Sequence, residues 1–103
     1  MSLDLTILGD DMRPLRYVPI GVDDHYRLVV MAAERGLTLI ARMEDYYEDA
    51  HIAAEELPAF IEEIRSLKSY LPANDPFQPL LDSMQNIAEE AMQSGRALDA
   101  LAD

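Results

Sequence analysis

The 103-residue chain contains no cysteine, which excludes disulfides, thiolate nucleophiles and cysteine metal ligands together. That absence fits a reducing compartment, and the cytoplasm is the expected location. Basic residues are scarce: 8 Lys and Arg face 20 Asp and Glu, for a formal net charge of −12. A domain so charged is repelled by nucleic-acid phosphates and by anionic lipid surfaces. No local basic patch offsets this: Arg13 and Arg16 lie close, and the other six basic residues are scattered along the chain. Neither nucleic acid nor membrane is an expected partner. The longest apolar run, residues 28–33, falls far short of the ~20 residues of a transmembrane helix. Residues 1–8 lack the basic and long apolar regions of a secretory signal. Glycine occurs only four times, with neither the dinucleotide fingerprint nor a P-loop, so no cofactor is expected.

What is present describes one folded domain. Half of the residues are hydrophobic, enough to form a core despite the charge. Leu3, Leu5 and Ile7 alternate with Asp4 and Thr6 before Gly9-Asp10-Asp11, as in a half-buried strand running into a turn. A second extended segment over residues 15–20 completes a hairpin, and Pro19, which lacks an N–H, places it at an edge or at a strand end. Asp23 is the expected N-cap of a helix in which Tyr26, Val29, Val30 and Ala33 recur at i, i+3, i+4 and i+7, with Gly36 as its C-terminal stop. Residues 37–41 are short and apolar, the pattern of a buried strand, which would make either a parallel crossover or an antiparallel pair.

Pro58 opens another helix with Leu57, Phe60, Ile61, Ile64, Leu67 and Leu71 on its apolar face and Glu62, Glu63, Arg65 and Ser66 facing water. A proline-rich connector over 72–79 leads to a last helical pattern of Leu80, Met84, Ile87, Ala88, Ala91, Leu98 and Leu101, weakened at Gly95. The expected fold is α+β: a small sheet of about three to four strands against about three helices in a single domain, residues 1–103. Within it, 1–71 form the core, 72–79 the connector and 80–103 the C-terminal helix.

Catalytic signatures are missing. His25 and His51 pair with no serine at a nucleophile spacing, and no G-x-S-x-G elbow occurs. Glu44, Asp45, Glu48, Asp49 and His51 resemble a ligand set only superficially, because no central glycine turns a calcium loop and no H-E-x-x-H occurs. The chain is therefore not expected to be an enzyme or to hold a metal. Residues 44–56 carry six carboxylates and no Lys or Arg, and would form a loop with a short strand near residues 50–53. Within that stretch Glu44, Asp45, Tyr46, Tyr47, Glu48 and Asp49 make the candidate partner-binding patch. Tyrosine offers a stiff, amphipathic contact surface, and each of Tyr46 and Tyr47 suits either the core or a contact.

The turn at Gly9-Asp10-Asp11, the step Pro19-Ile20-Gly21 into a helix and the block Asp45-Tyr46-Tyr47-Glu48-Asp49-Ala50 ahead of Glu55-Glu56-Leu57 resemble small acidic bacterial immunity proteins. Those proteins accompany polymorphic or contact-dependent toxins. The resemblance covers roughly residues 1–71 and leaves the last helix unmatched. It implies an inhibitor that docks on a basic toxin domain and occludes its active site. The alternative from a different class is a homo-oligomeric structural or adaptor protein, dimerising through its methionine-bearing C-terminal helix.

Overall fold

The computed structural model describes residues 2–102. A hairpin of β1 (Leu3–Leu8) and β2 (Pro14–Ile20) leads into α1 (Val22–Arg35). A 3-10 turn (Ile40–Met43), β3 (Ala50–Ile52) and a second 3-10 turn (Ala54–Glu56) precede α2 (Leu57–Tyr70), α3 (Gln78–Gln93) and β4 (Leu98–Ala102). The four strands form one sheet in the order β2-β1-β4-β3, antiparallel at every pairing. This is the α+β arrangement expected from the pattern, with the edge position that Pro19 requires given to β2.

One face of the sheet builds the core. Leu3, Leu5 and Ile7 of β1, Ile20 of β2, Ile52 of β3 and Leu98 and Ala100 of β4 are buried with Leu57, Phe60, Ile64 and Leu67 of α2 and Leu81, Met84 and Ile87 of α3. The alternate residues lie on the other face, where the register sets Tyr17, Thr6, Asp99 and His51 in one cross-strand row. Among the described residues no helix is long and apolar enough to cross a membrane.

Four local expectations are corrected. Residues 37–41 form no strand: Ile40 and Met43 are buried from a 3-10 turn, and its amide end is capped by Glu63 of α2, which accepts from Leu39 N–H (3.1 Å) and Ile40 N–H (2.9 Å). Glu63 therefore faces this turn and not open water. The C-terminal helix does not extend to residue 101. Gly95 at φ 67° ends it in the left-handed conformation that glycine adopts without strain, and Leu98, Asp99 and Ala100 then alternate as β4. Gly21, and not Asp23, is the N-cap of α1, with Asp23 and Asp24 in the first turn, where carboxylates favour the helix dipole. Finally, α1 is rotated: its buried residues are His25, Leu28, Met31 and Ala32, while Tyr26 is 70% exposed.

Two ion pairs lock the irregular segments. Arg27 of α1 grips Asp75 with both guanidinium nitrogens (2.9 and 2.7 Å) and lies over the Phe77 ring, fastening α1 to the connector. Arg42 grips Glu56 in the same way (2.7 and 2.6 Å) and also donates to the His51 carbonyl. The Arg42 bond, followed by a bond from the Ala53 N–H, holds the Glu56 carboxyl down at about 2. Arg27, followed by the Phe77 N–H, likewise lowers Asp75.

Depressed carboxyls stabilise the folded state fully above their unfolded values and lose that contribution as pH falls through the folded ones. Urea unfolding of the native chain and of Glu56→Gln should therefore differ near neutrality. The difference should shrink as pH drops below the ordinary glutamate value of 4.5 toward about 2. A gap that is constant over that range would remove the Arg42–Glu56 pair from the stability of the fold.

Candidate protein-binding surface

The rotation of α1 places His25 inside. A histidine can be buried when its ring nitrogens find partners, and here Nε2, facing a carbonyl that can only accept, donates to Met43 O. His25 thus joins Leu28 and Ala32 on the core face at i, i+3 and i+7. The more regular apolar stripe is left outside: Val22 and Tyr26 are 60% and 70% exposed, and Val29 and Val30 are half-buried beside exposed Ala33. Asp23 and Glu34 flank that stripe on the same helix, both exposed.

The His25–Met43 bond also positions the candidate patch. Beyond Met43, the Tyr46 ring packs tilted on the His25 ring with centroids 4.9 Å apart, and its hydroxyl donates to Ile20 O across 3.3 Å. Tyr46 is only 8% exposed. Tyr47 rests edge-on against Tyr46 at 5.7 Å and is itself 68% exposed. Asp45 accepts from the Tyr47 N–H (2.9 Å), and the Glu48 N–H donates to Asp45 O (3.2 Å), a side-chain-stabilised turn typical of aspartate. Asp49 accepts from the Ala102 N–H (2.8 Å), so it holds the end of β4.

The six candidate residues therefore divide. Tyr46 is a core residue and Asp49 a structural clasp, whereas Glu44, Asp45, Tyr47 and Glu48 remain on the surface. Glu44, Asp45 and Tyr47 meet the outward face of α1 at an open groove of ≈ 650 Å³, lined also by Val29, Val30, Ala33, Ala41 and the edge of Tyr46. Its floor is apolar and one wall carries carboxylates. Sequence reasoning missed α1's part in this surface. The signal was there, because α1 has more apolar positions than one core-facing stripe uses.

Charge distribution sharpens the picture, since each of the chain's eight basic side chains is already engaged. Arg13, Arg16, Arg27, Arg42, Arg65, Lys68 and Arg96 pair with carboxylates, and Arg35 lies over the Tyr70 ring. Among the described residues no ion pair reaches Glu44, Asp45 or Glu48. Glu44 and Asp45 thus bring unpaired negative charge to the groove. The other ionisable pair of note, His51 Nδ1 with Asp99 at 2.6 Å, lies on the opposite face of the sheet. Among the described residues no three His, Asp or Glu side chains gather as a metal-holding group.

Comparison with protein-family models, curated proteins and solved structures finds no match.

Proposed function

We propose that the chain is a non-enzymatic protein-binding domain, an immunity-type protein that neutralises a basic bacterial toxin domain by direct binding and occlusion. The observation that supports it most is the groove between α1 and residues 41–47: apolar and aromatic side chains beside carboxylates that no ion pair among the described residues reaches. Buried aromatic anchors supply most of an interface's energy, and complementary charge raises the encounter rate and sets specificity. Docking there would set Glu44, Asp45 and Glu48 against the basic side chains with which a nuclease-like toxin holds phosphate. Dimerisation through the C-terminal helix draws less support. The apolar stripe of α3 (Leu81, Met84, Ile87, Ala88 and Ala91) is buried within the chain, and of its large hydrophobic side chains only Met92 is substantially exposed.

The test is co-expression with the protein encoded beside it, followed by purification at about 0.15 M salt, where surface attraction is partly screened. A stoichiometric complex in which the partner loses its toxicity is expected. The triple variant Glu44→Gln, Asp45→Asn, Glu48→Gln keeps the turn, since asparagine also accepts from the Tyr47 N–H. It should bind about tenfold or more weakly, with a flatter salt dependence. A symmetric oligomer without the partner would favour the adaptor instead.

A further inference from the structure

We propose that the groove seats one amphipathic basic helix of the partner, lying along α1 with its apolar stripe on Val29, Val30 and Ala33 and its Lys or Arg side chains reaching Glu44 and Asp45. This rests on the protein-binding reading and adds the mode of recognition. Three observations select it.

The sheet edges are poor templates for strand addition. The outer strand β2 carries Pro14 and Pro19, and proline offers no N–H to an incoming strand. The other edge strand, β3, has three residues, and Arg42 already occupies the carbonyl of its His51. These edges offer a partner segment in extended form only an interrupted ladder.

The exposed stripe that runs from the groove along α1 has the length that a helix requires. From Val22 to Ala33 the exposed stripe of α1 extends about 16 Å at 1.5 Å per residue, three turns of a visiting helix, which matches anchors at i, i+3 or i+4 and i+7. Ala33 and Ala41, both small, line the groove, so a second backbone can approach. Exposed Tyr26 and Tyr47 supply aromatic faces that attract cations on long alkyl stems.

Charge decides the sign of the occupant. Glu44 and Asp45 stand on one wall, and Asp23 and Glu34 flank the stripe on α1. A second copy of this chain would bring a further charge of −12 with every basic side chain already engaged. A helix that is apolar on one side and basic on its flanks complements the groove on both counts.

The test uses the full chain, 15N-labelled, at about 0.15 M salt. Three designed peptides of about 18 residues, long enough to fill the groove, are titrated in turn: a Leu/Lys/Arg amphipathic helix, the same composition broken by central prolines, and a Leu/Glu helix. The basic helix should shift amide signals from Tyr26 to Ala33 and from Ala41 to Tyr47, with at least about tenfold weaker binding of the broken peptide and none of the acidic one.

Ala33→Asp, at an exposed position of α1 that lines the groove, should abolish those shifts while leaving the rest of the spectrum unchanged. Equal binding of the broken peptide would show attraction by charge alone and overturn the helix. Shifts centred on Tyr17 and His51, or no shifts up to about 1 mM peptide, would overturn the groove. These outcomes are independent of any toxin. A chain that takes the basic helix but silences no partner removes the immunity reading, and one that silences a partner but ignores the helix removes this mode of recognition.

Discussion

Replacing Tyr46 by alanine should destabilise the fold by about 3–5 kcal/mol, the usual cost of deleting a buried aromatic side chain, whereas Tyr47→Ala should change stability by no more than about 0.5 kcal/mol. Adjacent in the chain and alike in chemistry, the two tyrosines do different work. Tyr46 is 8% exposed, packed tilted against His25 and hydrogen-bonded through its hydroxyl to Ile20 O. Removing it leaves a cavity and unseats the turn at residues 44–48. Tyr47, 68% exposed, has little folded-state contact to lose.

In binding the order reverses for a surface centred on the groove. Tyr47→Ala should weaken partner binding by about 2 kcal/mol, roughly thirtyfold, with unfolding unchanged. Urea denaturation and titration calorimetry on both variants check this. Equal stability losses would mean that Tyr47 is structural, and an unchanged affinity for Tyr47→Ala would take it out of the contact.

Removing residues 96–103 should abolish folding. β4 is not an appendage but a central strand: Leu3, Leu5 and their neighbours pair with it on one side and Ala50 to Ile52 on the other. β3 pairs with no other strand among the described residues. The truncation therefore opens the sheet in its middle, exposes the buried side chains of Leu98 and Ala100 and strands one face of the core. A loss of that size exceeds the 5–15 kcal/mol by which a typical domain is stable.

The point substitution Ala100→Asp tests the same claim more gently, because an unpaired carboxylate at a 2% exposed site costs several kcal/mol. Far-ultraviolet circular dichroism should show an unfolded truncated chain and a cooperative but strongly weakened transition for the substitution. A truncated chain that still unfolds cooperatively would contradict the central position of β4.

The elements legible in the sequence are those whose signals are local. The hairpin follows from period-two alternation around Gly9, the end of α1 from Gly36 at φ 68°, and α2 from an apolar face in which Leu57, Phe60, Ile61, Ile64 and Leu67 are all buried. The misread elements depend on distant partners. Residues 37–41 suit a strand until Glu63 caps the turn from 23 or more positions away. The helical spacing of α3 continues on paper through Leu98 and Leu101, and only the open middle of the sheet draws those residues into a strand.

The same holds for the surface. Its carboxylates stood out as a run without counter-charge, and Glu44, Asp45 and Glu48 remain one. Tyr46 turned inward and keeps only a place in the groove lining, while Val29, Val30 and Ala33 joined it, because α1 buries His25, bonded to Met43 O, together with Leu28, Met31 and Ala32. No period in the sequence encodes that bond.

Hydrogen–deuterium exchange of the full chain, alone and in complex with the co-purified partner, tests the docking surface most directly. Slowed exchange in α1 and in residues 41–48, with the sheet strands unchanged, is the expected result. Slowed exchange along β2 and around His51, with α1 unaffected, would place the partner on the other side of the molecule and contradict the groove as the site of recognition.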